Sequence, residues 1–244
     1  MNVPVIVLIA ASIFALAIAG CSDQAQHEAA AAHAEAQRVE RDATVAALAR
    51  NYDQARAGEQ WDLALSYANE LQHTAPNSVP AHEVQATLAD TSTHADEVRD
   101  KRRLAALWAY NLEPINYGTD GVVLSAYIYS DRKSDPEGSA PVRLVLRRHP
   151  KWERSAYLVL DQGEFDCAPG CKVLVRFDDQ PAHDFTATKS LQNRSALFID
   201  DEETIRKALD KIRVININTR VGGIPRMLRF EAGGFDRVKL ERRN

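Results

Sequence analysis

The sequence predicts an α+β protein, an N-terminal helical hairpin or small bundle followed by a mainly antiparallel β-sandwich or open barrel that carries one helix. Three observations support this. Residues 24–50 are rich in Ala, Gln, Glu and Arg and contain neither Gly nor Pro, a composition that favours helix. After Leu107 the chain changes to short β-branched and aromatic runs separated by turn-rich stretches such as Asp135-Pro136-Glu137-Gly138. With 244 residues, 45% of them hydrophobic and 26% charged, the chain is long enough to bury a substantial core. A formal net charge of −4 supplies no electrostatic footprint for nucleic acid, so no nucleic-acid partner is expected.

The chain opens with an almost continuously apolar run over residues 3–19, broken only by Pro4 and Ser12, and residues 1–20 carry no charged side chain. Small residues then lead to a cysteine, Ile18-Ala19-Gly20-Cys21, and a polar stretch begins. This motif resembles the lipobox of bacterial lipoproteins. The resemblance implies a signal peptide over 1–20, diacylglyceryl attachment to the sulfur of Cys21, cleavage before it, and acylation of the new amino group by a chain such as palmitate. Cysteine suits this chemistry because its thiolate is a strong nucleophile, and the small residues before it let the backbone lie extended in a peptidase cleft. Each buried methylene contributes about 0.8 kcal/mol, so two or three acyl chains hold a protein to a membrane where one does not. Ser22, by the sorting preference of enterobacterial lipoproteins, points to the outer membrane, facing the periplasm. An uncleaved anchor helix is the alternative, and both readings place residues 22–244 outside the cytoplasm. The expected organisation is a lipid anchor and tether over 21–38, a helical region over 39–106 and a β-rich domain over 107–244.

In the tether the apolar residues are mostly alanine, so residues 24–38 read as a solvated helix; Val39, Val45, Leu48 and Tyr52 belong to a better packed continuation that Gly58 interrupts. Trp61, Ala64, Leu65, Ala68 and Leu71 then recur at three- and four-residue steps and form one apolar stripe. With Pro76 they resemble the second helix of a tetratricopeptide repeat, where small residues let antiparallel helices approach closely. One 34-residue period further on, Val98, Arg102 and Tyr110 do not repeat the pattern, so a short bundle is expected, not a solenoid. Two further helices are expected over 79–88 and 94–107. The stripe is either a protein-interaction surface or the core of an ordinary hairpin.

Strands are expected at 122–129, 142–147, 155–160, 172–177, 183–188, 195–199, 213–218 and 227–230, with a helix over 202–212 capped by Asp200-Asp201. If Cys21 carries lipid, Cys167 and Cys171 remain as a pair in an oxidising compartment, and Pro169-Gly170 can turn the chain between them, so a disulfide is expected. The Cys loop, Val173-Leu174-Val175-Arg176-Phe177-Asp178, the capped helix and Phe230-Glu231-Ala232-Gly233-Gly234-Phe235 resemble small periplasmic β domains, including accessory proteins of type VI secretion. That resemblance supports architecture and no activity.

No catalytic constellation, cofactor site or metal site is legible: no histidine has the helical partner of a zinc protease, and no nucleophile elbow or phosphate loop occurs. His183-Asp184 beside Asp178-Asp179 could form an acid/base or cation site, or be solvated turn residues. The densest charge cluster holds Arg143, Arg147, Arg148, His149, Lys151 and Arg154 around Trp152. The even spacing of Arg143 and Arg147 puts both on one face of a strand, opposite Leu144 and Leu146. Arg143, Arg147, Arg148 and Trp152 are the candidate binding surface, suited to anionic glycan, lipid headgroup or an acidic partner; the solvent side of a half-buried sheet fits the same alternation. The expected role is a membrane-anchored interaction module whose partner is another envelope protein, with an envelope hydrolase or glycan-binding protein as the alternative.

Overall fold

The computed structural model describes residues 10–115, 121–135 and 140–241, with 10–22 as backbone only. Residues 1–9, the side chain of Cys21 and residues 136–138 of the expected turn lie outside the described residues. The chain divides into two units, Met1–Asp96 and Glu97–Asn244.

The first unit is helical. Helix α1 (Ala10–Ala57) is exposed along one long stretch, residues 23–44, before Val45, Leu48, Tyr52 and Ala55 become buried. It stops at Gly58, whose N–H bonds the Gln54 carbonyl while Gln60 N–H bonds that of Ala55. Helix α2 (Trp61–Thr74) returns against α1, with Ala64, Ala68 and Leu71 fully buried; two alanines at the contact let the helices close up. Trp61 stacks on His94 with ring centroids 4.4 Å apart.

Helix α3 (Val79–Ala106) runs unbroken where the sequence suggested two helices. The gap between the two expected helices, 89–93, contains the polar run Thr91-Ser92-Thr93. Thr91 Oγ1 returns its hydrogen bond to the Thr87 carbonyl at 2.9 Å and Thr93 Oγ1 to that of Ala89 at 3.0 Å, so the hydroxyls are satisfied within the helix. Tyr52 Oη, 2.8 Å from both Thr87 and Thr91 hydroxyls, makes these polar residues part of the helical core.

The second unit is one nine-stranded sheet: β1 (Ala109–Pro114), β2 (Val122–Tyr129), β3 (Arg143–His149), β4 (Glu153–Val159), β5 (Cys171–Phe177), β6 (His183–Lys189), β7 (Ala196–Ile199), β8 (Ile215–Val221) and β9 (Ile224–Phe230). The order is β1-β2-β3-β4-β7-β6-β5-β8-β9, and every neighbour is antiparallel. The sheet is open, with β1 and β9 as its edges, but it curls far enough that Asp131 N–H, just after β2, donates to the Arg229 carbonyl of β9 at 2.7 Å. Alternate residues point inward and form one core, including Leu124, Ile128, Leu144, Leu146, Leu158, Val175, Ile217 and Phe230. Strand β1 was not expected from the sequence, because Asn111, Glu113 and Pro114 obscure its alternation. The β8–β9 hairpin turns on Gly222 and Gly223, both at positive φ, the backbone that a tight two-residue turn requires.

Helix α4 (Glu202–Ala208) is capped by the Asp201 carboxylate, which accepts from Thr204 N–H, and sends Ile205 into the core. A second short helix, α5 (Arg237–Glu241), adds Leu240. The end of α3 within this unit is held by charge: Arg103 bonds both Glu231, at 2.8 Å, and Asp100, which also pairs with Arg213. Hydrogen bonding to Arg103 holds the Glu231 carboxyl below its ordinary value; Arg213 first, and then Arg103, do the same for Asp100.

Cys167 and Cys171 are bonded as a disulfide, Cα atoms 5.3 Å apart, with Gly170 at positive φ closing the loop at the entry to β5. So short a loop contributes only about 2 kcal/mol in the loop-entropy account. In urea, dithiothreitol should therefore lower the unfolding free energy by that amount, and the midpoint by that amount divided by the m-value, while the unfolding remains cooperative. A loss of all sheet signal on reduction would assign the bridge a larger role.

A candidate binding face on the outer side of the sheet

Strand pairing brings together side chains that lie far apart in sequence. On β3 the outward positions are Arg143, Val145 and Arg147, each flanked in register by residues of β2 and β4: Tyr129–Arg143–Val159, Tyr127–Val145–Tyr157 and Ser125–Arg147–Ser155. The middle row continues to Phe198 of β7, whose ring centroid lies 4.9 Å from that of Tyr157. Val145 is only 6% exposed although it points away from the core. The outer side is thus an aromatic floor, not a plain solvated surface.

Arg147 stands over this floor. Its guanidinium carbon is 5.3 Å from the Tyr157 ring centroid and 5.7 Å from that of Trp152, distances of cation–π contact. Trp152 lies in the β3–β4 turn, stacked on His149 at 4.0 Å and 63% exposed. His149 Nδ1 accepts from the N–H groups of Lys151 and Trp152 at 3.1 and 3.3 Å, which fixes the turn that carries the indole. The Nε atoms of Arg143 and Arg147 are shielded from solvent and have no hydrogen-bond partner among the described residues. Arg143 pairs with Asp161 at 3.3 Å, whereas among the described residues Arg147 meets no carboxylate. Burial raises the Tyr157 hydroxyl above its ordinary value, opposed by Arg147 and Arg143 and assisted by Glu113 at the β1 side of the face.

Arg143, Arg147 and Trp152 therefore share one face, and Arg148 does not. Arg148 follows the inward parity of β3, paired with Leu124 and Arg154, and its Nη1 donates to the Glu241 carbonyl of α5 at 3.3 Å. There Glu241 also binds the buried Arg206 at 2.7 Å and Arg154 at 3.5 Å, a structural anchor for the C-terminal helix. The sequence reading missed Tyr127, Tyr157 and Phe198. Period-two alternation within each strand was visible, but the register that aligns three strands was not.

The acidic cluster near β6 has structural employment. The Asp178 carboxylate accepts from Arg213 and Val214 N–H groups at 3.0 and 2.8 Å, and Asp184 pairs with Lys172 at 3.1 Å. Among the described residues no group of three or more His, Cys, Asp or Glu side chains is placed to hold a metal ion, and no helix is long and apolar enough to cross a membrane.

No family model matches the sequence, and no curated protein matches it. Among solved structures, the crystal structure of invasion associated protein B from Bartonella henselae is similar over 53% of this chain and 86% of its own, at 14% identity and a TM-score of 0.36.

Proposed function

We propose that the chain is a lipoprotein of the bacterial envelope, tethered through acylated Cys21 to the outer membrane and facing the periplasm. Its β unit serves as a binding module for another component of the envelope. The tether rests on Ile18-Ala19-Gly20-Cys21, and the bonded Cys167 and Cys171 suit an oxidising compartment. The exposed turns of α1 over residues 23–44, about 33 Å at 1.5 Å per residue, supply a spacer beyond the anchor.

Binding rests on a single observation: Arg147 is held between Tyr157 and Trp152 on an outward face, with no carboxylate partner among the described residues. Arginine, tyrosine and tryptophan are the residues that concentrate binding energy at interfaces, because they bury large rigid surfaces and retain polar edges.

Cys21→Ser tests the tether. The variant should leave the membrane fraction almost completely or accumulate unprocessed, while the native chain should stay membrane-bound and carry acyl mass at its N-terminus. A native chain that is membrane-bound with residues 1–20 still attached and no acyl mass on Cys21 would refute lipidation. For the module, crosslinking in whole envelopes should capture a partner with the native chain and several-fold less with Arg147→Ala; equal capture would remove this face from the function.

A further inference from the structure

We infer that the ligand of this face is a carboxylated sugar, its carboxylate on Arg147 and its ring stacked on Trp152, an inference that rests on the binding role proposed above.

The chemistry begins with the guanidinium. Flanked by two rings and shielded at Nε, Arg147 keeps its terminal Nη edge as the part able to meet a ligand. That edge matches the two oxygens of a carboxylate in a planar, bidentate pair, which a lysine ammonium cannot reproduce. Asp161 occupies the neighbouring Arg143, and Glu113 exerts its negative charge from the β1 side. With Asp161 on Arg143, Arg147 is the guanidinium of this pair left to receive a carboxylate of the ligand.

The backbone argues against an extended peptide. Strand β3 is paired along both edges, to β2 and to β4, so its N–H and C=O groups are committed to the sheet. Strand addition needs a free edge, and here recognition falls to side chains alone. A sugar is read that way. Its C–H face packs on an aromatic ring, and Trp152, although His149 stacks on it and Arg147 meets it, keeps 63% of its surface exposed; the sugar's hydroxyls need donors and acceptors beside that ring. Ser125 and Ser155, the cross-strand neighbours of Arg147, supply hydroxyls in the same row.

The test titrates the full-length chain, in non-ionic detergent, with oligogalacturonate, with the same oligomer methyl-esterified, with oligoglutamate, and with phosphatidylglycerol vesicles. Calorimetry reads affinity and tryptophan emission reads Trp152, with Trp152→Phe identifying its share of the signal. Oligogalacturonate should bind and shift the emission, and esterification should weaken binding at least tenfold. Arg147→Ala, Arg147→Lys and Trp152→Ala should each weaken it at least tenfold, with unchanged thermal unfolding. Equal binding of the esterified oligomer, or full rescue by Arg147→Lys, would overturn the carboxylate pairing. Binding of oligoglutamate or vesicles alone would overturn the sugar and leave the module standing. Silence with every probe overturns the sugar; if envelope capture is also indifferent to Arg147, the module falls with it.

Discussion

Arg226→Ala is expected to lower the stability of the β unit by about 3–5 kcal/mol, a large share of the 5–15 kcal/mol typical of a folded domain. Arg226 sits on the edge strand β9 at a position whose parity, shared with Leu228 and Phe230, points inward. It pairs through two hydrogen bonds with Asp135, and both side chains are almost wholly buried, 7% and 5% exposed. Removing the guanidinium leaves a carboxylate out of water with its main partner gone, which costs far more than the pair itself is worth. The double variant Arg226→Met, Asp135→Leu should therefore lie close to the native protein in stability. Urea midpoints at constant m-value measure both. A single variant within 1 kcal/mol of native would show that water or a neighbour rehydrates Asp135. An inward charge on an edge strand also discourages pairing with a further chain, so the apolar double variant should aggregate sooner on storage.

That pair illustrates what the sequence makes readable and what it does not. Helix in the Ala-rich region, the Gly58 break, the α2 stripe, the disulfide and all but one strand follow from composition, periodicity and punctuation, which act over a few residues. The Arg226–Asp135 pair spans 91 positions and depends on how far the sheet curls. Arg143, Arg147 and Trp152 were legible as a cluster because they are close in sequence. Their setting was not, because Tyr127 and Phe198 reach them only through the register of β2 and β7. Arg148 was grouped with them by proximity, although alternation along β3 already sends it to the opposite side from Arg147. The missing break in α3 has the same origin: Thr91 is tolerated because Tyr52, 39 positions away, meets its hydroxyl.

Gly234→Ala, which adds a single methyl group, should cost about 2–5 kcal/mol. The glycine belongs to the segment Phe230-Glu231-Ala232-Gly233-Gly234-Phe235. This segment leads out of β9 and passes hard against the end of α3: Trp108 Nε1–H donates to the Ala232 carbonyl at 3.1 Å, and the Trp108 and Phe235 rings lie 5.0 Å apart. A Cβ on Gly234 would meet Ala105 N at 2.5 Å and Ala105 Cα at 2.8 Å, backbone atoms that cannot swing aside. Its φ of +81° adds about 1–2 kcal/mol for any residue with a side chain, to which overpacking contributes about 1–3 kcal/mol. Gly170→Ala separates the two causes, since Gly170 has φ of +76° but nothing within 4 Å of the added carbon. It should cost only the conformational share. Thermal unfolding of the two variants side by side would then differ by the packing contribution. Equal losses would mean that α3 and the β9–α5 turn can part without cost, and that the glycine serves the backbone angle alone.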